Sequence, residues 1–290
     1  GLDPAPLRDF MIRMGASKAI NFMEWEKLWA INRQHIDPKA PRFWAIDDRH
    51  PVRVVLDGVQ GEATNKVVPL HRKFKDLTVA GHSNKTLNLT PIVYIDQRDA
   101  NQSFIGEEVT LMSRANIVIN NITRRRRRVR ENGDGEEEDE EEESIVTEIR
   151  ATLNLTGDFK RTKRKIQWLD ARCVGRRAIG GEEEVDDEAE EQEEEQVEPI
   201  VQLVLREYGP LLTKDKIEEG DQIDDFINTD IKQTTAIGDP NLEFIPRNTT
   251  IQLERWGYYR VDAIDRPITN NSTRRIKISL IKIPDGKTKK

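Results

Sequence analysis

Cysteine is almost missing from this chain: Cys173 is the single one in 290 residues. That excludes an internal disulfide framework and makes a reducing, cytoplasmic setting the default expectation. There is no run of about 18 apolar residues, so no segment reads as a membrane-spanning helix. No charged and then apolar amino-terminal stretch resembles a signal peptide. The Asn-x-Ser/Thr triplets at Asn88, Asn121, Asn154 and Asn248 carry no weight without an export signal. The four histidines, His35, His50, His71 and His82, lack the tight spacing of a zinc site and read as ordinary surface or packing residues. A glycine-rich phosphate loop and a βαβ alternation are missing as well.

What is abundant is charge, unevenly placed. The chain has 46 Lys and Arg against 53 Asp and Glu, a net −7 with an isoelectric point near 5.4. Residues 131–143 hold 10 acids and residues 182–198 hold 12, neither with a base. Without those 22, 31 acids face all 46 bases, so the remaining 260 residues carry +15. A basic body with acidic appendages is an expected partner for a polyanion. Neither acidic run can bury enough apolar surface to order itself, so both are expected to be disordered loops between strands. Arg124 to Arg128 and Arg130 directly precede the first run. Three readings of that tract stay open: a phosphate-contacting surface, a solvated strand end compensated by its acids, or a basic face on which the acidic loop folds back to exclude weak polyanions.

The first forty residues read as two helices. Asp3 is a candidate cap, Pro4 and Pro6 suit a first turn, and Leu7, Phe10, Met11 and Met14 fall at helical spacing before Gly15. A second helix from near Asn21 carries Trp25, Leu28 and Trp29 on one face and stops before Pro38 and Pro41. Two helices rarely form a domain alone, so this segment is expected to continue a larger body upstream. From Pro51 the pattern turns to short β-type runs: VRVVLDGV, LTVAG, PIVYID, EEVTLM, ANIVINNI, IVTEIRATLNL, KIQWLD, PIVQLVLREYG, TTIQLERWGYYRVD and RRIKISLIKIP. In residues 145–155 the odd positions are mainly apolar, as in a half-buried strand. Ten such segments predict closed or nearly closed antiparallel barrels.

Two of these segments mix cations with rings and amides. FKRTKRKIQW holds Lys160, Arg161, Lys163, Arg164, Lys165 and Trp168; IQLERWGYYR holds Gln252, Arg255, Trp256, Tyr258, Tyr259 and Arg260. Cations position a phosphate backbone, amides and Arg read base edges, and rings stack on unpaired bases. Arg161, Lys163, Arg164, Lys165 and Trp256 are therefore candidates for backbone or stacking contacts with RNA.

At these residues the chain resembles a known family. MEWEKLWAINRQHIDPKAPR (residues 23–42) is similar to the start of the carboxyl-terminal part of eukaryotic cytosolic glutamyl-tRNA synthetases. The likeness recurs at FIGEEVTLM, TKRKIQWLDA, IGDPNL, IQLERWGYYRVD and LIKIPDGKTK, and the last favours the glutamyl over the sister glutaminyl branch. The resemblance implies a mainly β chain with a short helical segment touching the tRNA stem (1–40). A proximal anticodon-binding barrel (41–98 and 240–290) would follow, with a distal barrel (99–239) inserted in it. It places Arg42, Gln252 and Arg255 at anticodon-contacting positions of related glutaminyl enzymes. The structural alternatives are that Arg42 caps the preceding helix and that Gln252 and Arg255 are ordinary outward strand residues. Strict alternation puts Gln252 and Arg255 on opposite faces, so joint contact needs a twist or bulge, for which Gly257 is the candidate. Where the family often has Trp-Gly-Asn, this chain has Arg114, Ala115 and Asn116.

The His-rich nucleotide motif and mobile lysine-serine loop of this synthetase class do not occur in the sequence, and no catalytic or metal-binding residue is singled out. The expectation is a tRNA-binding fragment of a class I glutamate–tRNA ligase. Its partners would be tRNA(Glu) and an upstream catalytic domain, no cofactor would bind here, and ATP and Mg would belong to the parent enzyme. Two rivals are a glutaminyl-tRNA synthetase fragment and a chaperone-like protein that binds basic partners through the acidic loops.

Overall fold

The computed structural model describes residues 1–16, 23–59, 64–129, 141–174, 200–214, 218, 220–266 and 275–286. In chain order the elements are α1 (Pro4–Met14), α2 (Trp25–Ile36), β1 (Arg42–Phe43), β2 (Ala45–Asp47), β3 (Val52–Asp57), β4 (Thr64–Pro69), β5 (Asn84–Leu89) and β6 (Ile92–Ile95). Then come α3 (Gln97–Asn101), β7 (Glu108–Leu111), β8 (Ala115–Val129), β9 (Glu141–Asn154), β10 (Lys165–Ile166), β11 (Leu169–Asp170) and β12 (Ile200–Tyr208). The chain ends with β13 (Ile231–Gly238), β14 (Thr250–Leu253), β15 (Gly257–Asp265) and β16 (Arg275–Ile283). Among the described residues no helix is long and apolar enough to cross a membrane, and no His/Cys/Asp/Glu group is arranged to hold a metal.

α1 forms as its sequence directs, with proline in the first turn and Gly15 at its end; α2 begins at Trp25 after an extended Glu24, later than the start expected near Asn21, which lies outside the described residues. Asp3 takes the extended N-cap conformation but makes no side-chain cap; its amide instead donates to Asn32 Oδ1 of α2 at 3.0 Å. Asn32, fully buried, returns a bond to the Gly1 carbonyl at 3.0 Å and fastens the two helices together. The far end of the chain docks on α2 through Gly286 at φ +68°, where a Cβ would collide with the backbone of Glu26 and Ala30.

All strands but the two-stranded ribbon β4–β5 fall in two seven-stranded sheets, in the orders β1-β14-β15-β16-β12-β13-β2 and β10-β7-β8-β9-β3-β6-β11. The edges of each sheet are one chain segment. β1 and β2 are separated by Trp44 alone, β1 pairs with β14 and β2 with β13, so residues 42–47 join the two edges and close the sheet. Residues 165–170 do the same in the second sheet, β10 pairing with β7 and β11 with β6. Closure pairs both outer strands of each sheet with one segment, so among the described residues neither sheet ends on an unpaired edge strand. The chain lays down β1 and β2 of the first barrel, builds the second barrel, and returns to the first at β12, so one barrel is inserted in the other as expected.

Both barrels repeat one pattern. Read along the two orders, the pairs are parallel, antiparallel, antiparallel, parallel, antiparallel, antiparallel in each. Arg42 opposite Gln252 corresponds to Lys165 opposite Thr110. The bulge at Val261/Ala263 corresponds to that at Ile119/Asn121. Positive-φ residues Asn248 and Arg255 correspond to Gly106 and Ser113. The difference is a permutation: the closing strand comes first in the first barrel and last in the second.

This pairing groups residues 42–47 with 200–283, and 52–57 with 92–170, which departs from the expected division. β12 and β13 lie within 99–239 yet pair with β16 and β2, and β3 and β6 lie within 41–98 yet pair with β9 and β11. The decisive contacts, β12–β16 and β3–β9, are parallel pairs between strands far apart in sequence, which no local pattern announces. Reading strands locally also missed the two-stranded ribbon β4–β5 and the polar β13, and overstated LTVAG, which forms only a Val79–His82 bridge. In β9 the apolar face reverses: Val146 is inward, then Ile149 and Ala151. The cause is the register shift opposite Thr123/Arg124, which inserts Thr147 as an extra residue.

Each barrel has its own core. Phe43, Leu203, Ile245, Ile251, Leu253 and Leu280 fill the first; Val54, Val109, Leu111, Ile119, Ile149 and Trp168 fill the second. Trp44, Ile46 and Ile237 of the first sheet pack into the second core and join the two. The rings of Trp44 and Trp168, each in a closing segment, meet at 5.7 Å. The expected disordered loops at 131–140 and 182–198 lie outside the described residues. Glu141–Glu143, included in the first of them, belong instead to β9, in register with Val129, Arg128 and Arg127.

Candidate nucleic-acid interface

Arg42 of β1, Gln252 of β14 and Tyr258 of β15 form one transverse row across three neighbouring strands. Their strand neighbours Phe43, Ile251, Leu253 and Tyr259 point into the core, so alternation puts the row on the outer face. The end of α2 lies over it. Asp37 accepts from Arg42 Nη2 at 3.1 Å and from the Tyr258 hydroxyl at 2.5 Å. Burial would raise the Asp37 carboxyl, but Tyr258 and the Arg42 charge outweigh it and hold the pKa below the usual value. Burial, and then donation to Asp37, push the Tyr258 hydroxyl up.

The helix-holding alternative for Arg42 is thus partly realised, yet its hydrogen-bond capacity is not used up. Arg42 Nε and Gln252 Oε1 are buried without a partner, although the Arg42 side chain is 24% exposed. A buried orphan of this kind costs about 1–3 kcal/mol. A rotation of either side chain toward an outside ligand relieves it. Sequence reading set His71 aside, but it belongs to the same cluster. The Arg42 amide donates to the Leu70 carbonyl at 2.8 Å, which lays His71 beside β1. His71 is fully buried; Nδ1 accepts from the Lys73 and Phe74 amides at 3.1 and 3.0 Å, so Nε2 carries the proton in the neutral ring, where it too has no hydrogen-bond partner. No spacing signal in the sequence could have found it.

Burial and the Arg42 charge push the His71 pKa below its ordinary 6.5, against the opposing pull of Asp37 and Glu254. As pH falls, the unfolded chain therefore takes up this proton first. The stabilisation from a neutral His71 is complete above about 6.5 and is lost below it. Thermal unfolding followed from neutral to mildly acidic pH should show this loss, and His71→Gln should flatten it. An unchanged slope in the variant would remove His71 as the cause.

Arg255 lies outside this row. β14 ends at Leu253, and Glu254 to Trp256 form the turn into β15, with Arg255 at φ +69°. The chain has left the strand before Arg255, so its direction is set by a left-handed turn residue rather than by a bulge at Gly257. Arg255 is 45% exposed and pairs with Asp99 of α3, whose side chain is buried. Trp256 is half-buried; its Nε1 donates to the Ala45 carbonyl at 3.1 Å, and the Arg98 guanidinium covers its ring at 5.1 Å. The Trp256 ring is thus anchored by its Nε1 and faced by Arg98. Glu254, next to them, accepts from Trp44 Nε1 at 2.6 Å and Arg72 at 3.0 Å.

The second cluster divides in the same way. Arg161 and Lys163 are exposed. Arg164 is structural, donating to both Glu107 oxygens at 2.8 and 2.5 Å, to Ser103 Oγ and to the Asp99 carbonyl. Lys165 is exposed but donates to the Thr162 carbonyl at 2.5 Å. Trp168, grouped with the cations in the sequence, is buried and donates to the Met112 carbonyl. Arg114 lies over the Trp168 ring at 5.3 Å, and burial lowers its pKa to about 10, which leaves it cationic at neutral pH.

Residues 40–134 and 195–262 match two models described as the anti-codon binding domain of class I tRNA synthetases (E and Q). The chain is 33% identical over its whole length to the cytoplasmic glutamate–tRNA ligase of Arabidopsis thaliana, covering 33% of that protein. It is 32% identical over 92% of its length to the Saccharomyces cerevisiae cytoplasmic enzyme, covering 30% of it. The bifunctional glutamate/proline–tRNA ligase of Drosophila melanogaster is 29% identical over all of this chain, which covers 14% of that protein. The chain thus spans at most about a third of the length of these relatives. With two mixed barrels, a helical segment laid against the first, and an outer row of arginine and glutamine, the chain belongs to the anticodon-binding domains of the class I tRNA synthetases of the E and Q type.

Proposed function

We propose that this chain selects and positions tRNA(Glu) by its anticodon for a glutamate–tRNA ligase, class I, whose catalytic part lies elsewhere in the parent polypeptide. The observation that carries this reading is the Arg42–Gln252 pair, adjacent on one outer face with one buried, unpartnered polar atom each. A guanidinium beside a carboxamide offers donors and an acceptor side by side, the kinds of group that pair with the Watson–Crick edge of an unstacked base. Arg255, outside the row in the turn after β14 and held by Asp99 of α3, adds a third group. The two barrels are the proximal and distal anticodon-binding units of this reading. α1 and α2 are its stem-contacting segment.

The chain's own residues supply binding and orientation. No side chain is assigned a catalytic part, and ATP and Mg are assigned to the parent enzyme. The names of the relatives support a glutamyl over a glutaminyl parent and a cytoplasmic setting. The test is a titration of this chain with the anticodon stem-loops of the glutamate and glutamine tRNAs and with copies in which the triplet is replaced. Preference for the glutamate loop, lost when its triplet is replaced, is the expected result. Preference for the glutamine loop would give the glutaminyl parent, and indifference to the triplet would defeat the reading.

A further inference from the structure

We propose that the second barrel carries a separate, base-tolerant subsite for unpaired RNA, formed by Phe104 and Phe159 with Lys160, Arg161 and Lys163, while its counterpart of the Arg42–Gln252 row does not read bases. The proposal rests on the anticodon-binding reading above and divides its labour between the barrels. By register, the positions of Arg42, Gln252 and Tyr258 recur in the second barrel as Lys165, Thr110 and Asn116. There each polar side chain has a partner within the barrel. Thr110 Oγ1 bonds Asn116 Oδ1 at 2.8 Å and the Thr162 hydroxyl at 2.5 Å; Asn116 Nδ2 donates to Glu108 at 3.0 Å; Lys165 Nζ reaches the Thr162 carbonyl at 2.5 Å. In contrast with Arg42 and Gln252, neither Thr110 nor Asn116 is left with a buried orphan atom.

What this barrel exposes instead is two rings among cations, with the aliphatic Ile105 and Leu155 also exposed. Phe104 and Phe159 are 62% and 59% exposed, and Lys160, Arg161 and Lys163 are exposed beside the second ring. β7 and β10 are parallel neighbours, so the loops that lead into them, carrying Phe104 and residues 159–163, emerge at the same barrel end. Arg164 staples the two loops together through Ser103, Glu107 and the Asp99 carbonyl. The nearby acids are engaged: Glu107 by Arg164, Glu108 by Asn116 and Asn154, Asp99 by Arg255, and Asp158 by Arg161 at 3.8 Å. An apolar protein partner would be a poor match for so cationic a surround. A polyanion with flat apolar faces matches both features, because every nucleotide of an unpaired strand offers a base with a π-face and a backbone phosphate. Asp99 also joins this surface to Arg255 of the first barrel, so one RNA strand can follow both.

The test uses the 290-residue chain with the glutamate-tRNA anticodon stem-loop and a triplet-substituted copy, at low and moderate salt. Phe104→Ala with Phe159→Ala should weaken both RNAs about tenfold or more, in parallel, with their affinity ratio unchanged. Lys160→Ala, Arg161→Ala and Lys163→Ala together should weaken both and lower the slope of log affinity against log salt by about 2. All five residues are exposed, and a thermal melt confirms that the variants fold. A changed ratio in the phenylalanine variant would overturn base tolerance, and unchanged affinity for both RNAs would overturn the subsite. Arg42→Ala run alongside separates the two levels: no change in affinity or ratio there would defeat the parent reading, whatever the phenylalanines do.

Discussion

Arg42→Ala should lower the affinity of the chain for the cognate anticodon loop by about 5- to 100-fold and lower its affinity for a triplet-substituted loop much less. The range follows from about 1–3 kcal/mol for one bidentate reading of a base edge. Gln252→Ala should act in the same direction, and the double variant should lose less than the sum, because the two side chains are directly opposite each other and address one base. Arg42→Lys should not rescue the preference. A lysine keeps the charge and a single direction of approach, but lacks the planar fork. Fluorescence anisotropy with the two RNAs at one salt concentration checks this, and equal losses for both would make Arg42 a phosphate contact instead. Thermal stability should change little, since the Asp37 carboxylate left behind still accepts from Tyr258 and lies at the surface.

Lys85→Met should destabilise the fold by about 3–5 kcal/mol, the usual cost of leaving a buried charge without its partner. Lys85 Nζ is 2.7 Å from Asp239 Oδ2, with side chains 4% and 2% exposed, and it also lies 4.3 Å from the Trp44 ring. The pair ties the β4–β5 ribbon to the turn after β13, where Asp239 caps by accepting from the Asn241 amide. Adding Asp239→Asn should recover most of the loss. Asparagine keeps the capping oxygen and removes the stranded charge. Urea unfolding followed by the fluorescence of Trp44 and Trp168 checks both variants. A cost below about 1 kcal/mol for Lys85→Met would mean that the pair does not hold the ribbon.

The row around Arg42 illustrates how far the sequence could be read. The segment likeness names Arg42 and Gln252, and their adjacency comes from pairing: the two are more than two hundred residues apart in the chain and direct neighbours in register. His71 was passed over because a histidine is recognised in a sequence by its spacing to other ligands. Here its role comes from the hydrogen bond between Arg42 and Leu70 that brings it alongside. Arg164 and Trp256 carried the right chemistry for RNA but face inward partners, Glu107 for one and the Ala45 carbonyl for the other. Composition lists which groups exist. It cannot say which are already engaged.

The amino-acid order by itself determined the helices at the start, the many strands after them, the cationic character of the body and the family likeness, because these depend on local period, charge count and short motifs. Tertiary structure alone decided that 42–47 and 165–170 each close a barrel, that the two barrels are permuted copies, and which polar atoms remain unspent. Those properties depend on parallel pairing between distant strands, and a chain records no local sign of a partner that lies a hundred residues away.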